Sequence, residues 1–92
     1  MPTTQRLVIT GRVQGVGYRN WTIGTARSLG ITGWVRNLND RGVEILASGE
    51  EDSLAALVEA CRSGPRLARV EHIDVTPADD GSWKGFSKRF AA

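Results

Sequence analysis

Two apolar stripes with a helical period, each framed by short β-branched runs, restrict this chain to an alternation of strands and helices. Residues 6–13 are short and β-branched around Leu7, Val8 and Ile9, and read as a strand. From Tyr18, apolar or small residues recur at Trp21, Thr25, Ala26 and Leu29, which is helical spacing. Gly24 inside that stripe costs about 1 kcal/mol against alanine, so the helix depends on packing. Gly30 reads as the glycine that stops it. Residues 32–38 and 43–48 read as two strands joined by the turn chemistry of Asn39-Asp40-Arg41-Gly42. A second helix begins after Gly49, with Glu50, Glu51 and Asp52 at the end where the macrodipole favours negative charge. Its stripe is Leu54, Leu57, Val58 and Cys61, and Gly64-Pro65 ends it. Residues 68–76 read as a strand in which Ile73 and Val75 share one phase and Val70 takes the other. A bulge near Glu71-His72 reconciles them. Past a polar turn over residues 77–82, residues 86–90 admit a short last strand.

The order is β-α-β-β-α-β with a short fifth strand. This is the split β-α-β, ferredoxin-like α+β sandwich, in which two helices lie on one face of an antiparallel sheet. The first two strands then run parallel, with the third between them. The loop leaving the first strand and the end of the second strand fall at the same edge of the sheet, about two strand spacings or roughly 10 Å apart. Asn37 therefore faces the same end as the first β–α loop.

Composition narrows the classes. A chain of 92 residues is expected to form one domain, residues 1–92, without a separate cofactor domain. The net charge of +2 and the scatter of basic residues give no argument for nucleic acid. Cys61 is the only cysteine and His72 the only histidine. That excludes an internal disulfide and a Cys/His zinc site, and leaves His72 as the sole histidine for any catalytic pair. His72 reads as a surface or structural residue, and Cys61 as a buried, inert thiol. The apolar runs span three or four residues, far from a membrane segment, and residues 1–20 carry no secretory h-region. A cytoplasmic, soluble monomer is expected, with no membrane partner and no nucleic acid partner.

Glycine is uneven: six of the eleven lie between Gly11 and Gly33. The run Gly11-Arg12-Val13-Gln14-Gly15-Val16-Gly17-Tyr18-Arg19 joins a strand to a helix start, where backbone N–H groups lack intrahelical partners and the dipole is positive. Glycines let consecutive N–H groups curl into a nest for an anion. The dinucleotide pattern fails because position 20 is Asn20, and no Walker Gly-Lys-Ser/Thr run exists. A small phosphate-bearing ligand fits better than a nucleotide. Arg19 in the first helical turn opposes the macrodipole by about 0.3–1 kcal/mol. A bound phosphate, met by two parallel guanidinium bonds, would offset that cost. On the residues alone, Arg19 reads equally well as a solvated surface cation.

The run from Gly11 to Arg19, followed by Gly33-Trp34-Val35-Arg36-Asn37, resembles the acylphosphatases, as do Gly64-Pro65 and Ala68-Arg69-Val70. The likeness extends over about residues 7–90. It implies hydrolysis of the carboxyl–phosphate anhydride of a small acyl phosphate to a carboxylate and inorganic phosphate. It also implies a site without metal or cofactor. On that resemblance the phosphate-binding arginine corresponds to Arg19 and the residue holding the attacking water to Asn37. The phosphate-cradling backbone corresponds to Gln14, Gly15, Val16, Gly17, Tyr18 and Arg19. Two departures concern the hairpin, whose glycine falls one step late at Gly42, and the last strand, where Lys88 replaces an aliphatic residue. Neither is expected to touch the site.

Two other functions share the topology. RNA-recognition domains need aromatic and basic residues on the third strand, which here reads Val43-Glu44-Ile45-Leu46-Ala47-Ser48. A non-catalytic, phosphate-binding or accessory relative is the alternative, and the presence of both Arg19 and Asn37 argues for catalysis.

Overall fold

The computed structural model describes residues 2–90. The elements run β1 (Thr3–Arg12), α1 (Tyr18–Ser28), β2 (Thr32–Asn37), β3 (Val43–Gly49), α2 (Glu51–Ser63), β4 (Arg69–Pro77) and β5 (Phe86–Lys88). The sheet order is β4-β1-β3-β2-β5. β1, β2, β3 and β4 form the expected antiparallel sheet, and β5 adds a parallel edge beside β2. α1 packs over β2 and β5, and α2 over β4, β3 and β1. β1 starts three residues before the hydrophobic pattern does, because Thr3, Thr4 and Gln5 pair with Gly49, Ser48 and Ala47 of β3. The expected bulge is present: Thr10 faces His72 and Gly11 faces Val70, which leaves Glu71 as the extra residue. β5 stops at Lys88, short of the expected residue 90, and Phe90 is 94% exposed.

Alternation along the strands builds the core. Leu7, Ile9, Val35, Val43, Ile45 and Ala47 point from the sheet at Tyr18, Ala26, Leu54, Leu57 and Cys61 of the helices. α1 buries Tyr18, Thr22 and Ala26 at four-residue steps, while Trp21, Thr25 and Leu29 are half-buried. Thr22 is tolerated because its hydroxyl donates to the Tyr18 carbonyl at 2.8 Å. The hairpin answers the question of its late glycine. A Cβ at Gly42 would come within 3.1 Å of the Ile9 carbonyl oxygen, tighter than most side-chain contacts, so a larger residue there would press on β1. The left-handed position falls instead on Arg41, with φ 78°.

The face of the sheet away from the helices carries a buried carboxylate. Glu44 is 3% exposed and accepts from Arg36 Nε at 2.5 Å and from Arg6 Nε. Arg36 and Arg89 also lie over the Trp34 ring, 5.2 and 4.8 Å from its centroid, so this tryptophan is covered rather than presented for stacking. Burial pushes the Glu44 carboxyl up, but the hydrogen bonds and charges of the two arginines outweigh it and hold it below its ordinary 4.5. A depressed carboxyl stabilises the fold above its unfolded value and loses that contribution as pH falls through its folded value. Glu44→Gln is expected to cost about 1–3 kcal/mol at neutral pH. It should also flatten the dependence of stability on pH below about 4.5, read by denaturant titration across pH. An acid limb of unchanged slope would show that Glu44 does not carry it.

Candidate functional site

The loop between β1 and α1 owes its shape to two glycines. Gly15 has φ 74° and Gly17 φ 81°, both left-handed, with Val16 between them. An added Cβ at either would meet nothing within 4 Å, so the requirement is conformational and not steric. Gly17 is also the N-cap of α1 and supplies no side chain to cap it. Among the described residues, the backbone N–H groups of residues 15–20 donate no hydrogen bond within the protein; the first helical donor is Trp21 N, to Gly17 O at 3.0 Å. Six consecutive donors are thus left open at the positive end of a helix.

The two helix starts differ in charge. α2 carries Glu51 and Asp52 in its first turn, which answer its own dipole, whereas α1 has no acidic residue there and carries Arg19 instead. Arg19 is half-buried. Among the described residues it forms no ion pair and no hydrogen bond. Arg6 and Arg36, by contrast, converge on Glu44.

Gly15, Gly17, Tyr18 and Arg19 line a hollow of about 100 Å³ together with Asn37 from the end of β2. The topology accounts for this meeting, since β1 and β2 run parallel on either side of β3. The Asn37 side chain is half-buried and has no hydrogen-bond partner among the described residues. The volume lies well below the roughly 300–1,000 Å³ of pockets that enclose larger ligands. It suits a small tetrahedral anion. No carboxylate lines it among the described residues.

Gln14 and Val16 do not line the hollow. The Gln14 side chain works as a strap: Nε2 donates to the carbonyls of Leu38 and Gly42, each at 2.8 Å. That ties the loop to the hairpin just past Asn37 and sets the gap between the two halves of the site. Tyr18 contributes backbone to the hollow while its ring is 1% exposed and its hydroxyl donates to the Cys61 carbonyl at 2.7 Å. Burial and the neighbouring Cys61 push that hydroxyl above its ordinary value, so it stays protonated and anchors the start of α1 to α2. Burial also raises the Cys61 thiol to about 11, against a lowering hydrogen bond from Tyr18. Such a thiol is inert at neutral pH.

The remaining lining residues were not anticipated. Val13 and Asn20 border the hollow, and so does Lys88, contrary to the expectation that the last-strand departure stays clear of the site. Lys88 reaches it because β5 runs parallel to β2, with Lys88 beside Val35, and its Nζ donates a long 3.5 Å bond to Asn20 Oδ1. A lone basic residue in a short C-terminal strand carries no sequence signal for this placement; the parallel edge pairing decides it. His72 lies elsewhere, exposed on β4 and paired with Asp74 at 2.9 Å. No group of three or more His, Cys, Asp or Glu side chains is placed to hold a metal ion among the described residues.

Known proteins resemble this chain in sequence and in fold. A family model described as Acylphosphatase matches residues 5–88. An acylphosphatase of Rhodospirillum rubrum is 49% identical over 81 residues, covering 88% of this chain and 89% of its own. One from Salinibacter ruber is 52% identical over 82 residues, covering 88% of this chain and 86% of its own. The crystal structure of acylphosphatase from Bacillus subtilis superposes with a TM-score of 0.92 at 38% identity, covering 97% of this chain and 99% of the other.

Proposed function

Since the chain belongs to the acylphosphatase family, a family of hydrolases, we propose that Arg19 and the N–H groups of residues 15–20 grip the phosphoryl group of a small acyl phosphate while Asn37 directs water onto it. The proposal includes a single domain over residues 1–92, acting as a monomer in the cytoplasm. Among the described residues no helix is long and apolar enough to cross a membrane. The observation that carries the reading is that Gly15, Gly17, Tyr18, Arg19 and Asn20, whose N–H groups have no acceptor among the described residues, line one hollow of about 100 Å³ with the unpaired Arg19 guanidinium and the free Asn37 carboxamide.

The chemistry closes with these groups. Water oxygen attacks phosphorus, the bond from phosphorus to the acyl oxygen breaks, and the carboxylate leaves with the electron pair. Its parent acid has a pKa near 4, so it departs without a general acid. A loose transition state spreads charge over the equatorial oxygens, where the nest and Arg19 meet it. It also asks little of the nucleophile, and the water proton passes to the phosphate product. A carboxamide can accept one water proton and donate to its oxygen, so Asn37 fixes the line of attack without acting as a base.

Purified protein is expected to hydrolyse acetyl phosphate without added metal, undiminished by chelator, and with inorganic phosphate as a competitive inhibitor. Strong chelator inhibition would call for a different mechanism. Phosphate binding without turnover would instead establish the non-catalytic alternative.

A further inference from the structure

Beside the hollow, and sharing Gly15 with it, lies a cleft of about 310 Å³ whose charged lining is Arg12, Arg66 and Arg69. Leu67, 64% exposed, forms part of its wall. Arg12 and Arg69 stand directly opposite each other in the β1–β4 register. Like charges directly opposed across two strands are destabilising. None of the three arginines has an ion-pair partner among the described residues. Asp40 and Glu71 share a separate, larger cavity with Arg12, yet neither forms an ion pair with it. Three uncompensated guanidiniums thus gather at one cleft, two of them at a cost to the sheet. Local rules of this kind are broken chiefly at functional or strained sites.

The hollow has room for the phosphoryl group and not for what it is attached to. Gly15 lines both the hollow and the cleft, so an acyl group directed over Gly15 would reach the arginines. We infer that this cleft is the subsite for the acyl portion, and that it selects acyl phosphates bearing a second anionic group, a carboxylate or phosphate, distal to the scissile bond. The apolar surface of Leu67 takes the hydrocarbon between the two charges, and the guanidinium forks of Arg12, Arg66 and Arg69 take the distal anion. The inference rests on the hydrolytic reading of the hollow.

Two substrates separate the two ideas: benzoyl phosphate, with no second charge, and 4-carboxybenzoyl phosphate. Both are followed at about 0.15 M ionic strength, where the Debye length is about 8 Å and long-range steering of the phosphoryl group is damped. The wild-type protein is expected to favour the carboxylated substrate in kcat/KM. Arg66→Gln and, independently, Arg12→Gln should each lower kcat/KM for that substrate by about five- to tenfold, mainly through KM. Benzoyl phosphate should stay within about twofold in both variants. Arg66→Lys, which keeps the charge and loses the fork, should fall between. Equal losses on the two substrates would reduce the arginines to a general field and overturn the subsite, as would no loss on either. If the wild-type protein cleaves neither substrate, the hydrolytic reading itself fails and the subsite falls with it.

Discussion

Replacing Arg19 with glutamine is expected to lower kcat/KM for an acyl phosphate by on the order of 100–1000-fold with the fold intact, the usual cost of removing one donor from developing oxyanion charge. Inorganic phosphate should compete correspondingly less well, because in the proposed site Arg19 meets bound phosphate as well as the transition state. Stability gives an independent reading. Arg19 sits in the first turn of α1, opposing the dipole, and has no ion-pair partner among the described residues. Removing its charge should therefore leave the melting temperature unchanged or raise it slightly, by about 0.3–1 kcal/mol of helix stabilisation. Arg19→Lys should recover only part of the activity, since an ammonium is a point charge without the planar fork that meets two phosphate oxygens. Near-normal turnover in a soluble Arg19→Gln protein would remove this residue from the mechanism. A large drop in melting temperature would show that its role is structural.

The architecture was legible because both helices carry apolar stripes and each is closed by a glycine at its end. The phase switch within 68–76 even located the bulge, since Val70 and Ile73 can face the same core only if one residue between them is skipped. What the pattern missed was decided by pairing and by hydrogen bonds. Thr3, Thr4 and Gln5 are polar, so nothing in their hydrophobicity announces a strand, yet β3 supplies a ladder for them. Thr22 enters the core because the helix backbone satisfies its hydroxyl. Parallel first and second strands put Asn37 at the same end of the sheet as the loop that carries Arg19, while the family resemblance, not the topology, singles out the two as site residues. The resemblance assigns Gln14 to the backbone cradle, and its side-chain strap to Leu38 and Gly42 leaves no sequence signal because it depends on the hairpin turning through Arg41 at positive φ. Lys88 escaped for a related reason. A three-residue strand has too few alternations to reveal its facing, and only its parallel register beside β2 brings that ammonium to the hollow.

Asn37→Ala is expected to act on the other half of the reaction. The Asn37 backbone pairs with Val43 in the β2–β3 ladder, and alanine preserves that pairing. The side chain has no hydrogen-bond partner among the described residues, so its removal breaks nothing that holds the fold. The loss should fall on kcat, by about tenfold to hundredfold, since a carboxamide that fixes the angle of attack supplies alignment worth several kcal/mol at most. KM and the inhibition constant of phosphate should change little, because the proposal assigns the grip on the phosphoryl group to the loop and Arg19. This split distinguishes Asn37 from Arg19, whose loss weakens phosphate binding as well. Asn37→Asp sharpens the test. It keeps the size and one acceptor but places a negative charge in a hollow that no carboxylate otherwise lines among the described residues. Both kcat and phosphate affinity should then fall, and the phosphate penalty should shrink as salt rises. A soluble Asn37→Ala protein with ordinary kcat would show that the water needs no guide at this position. A loss confined to KM would instead assign Asn37 to gripping the substrate.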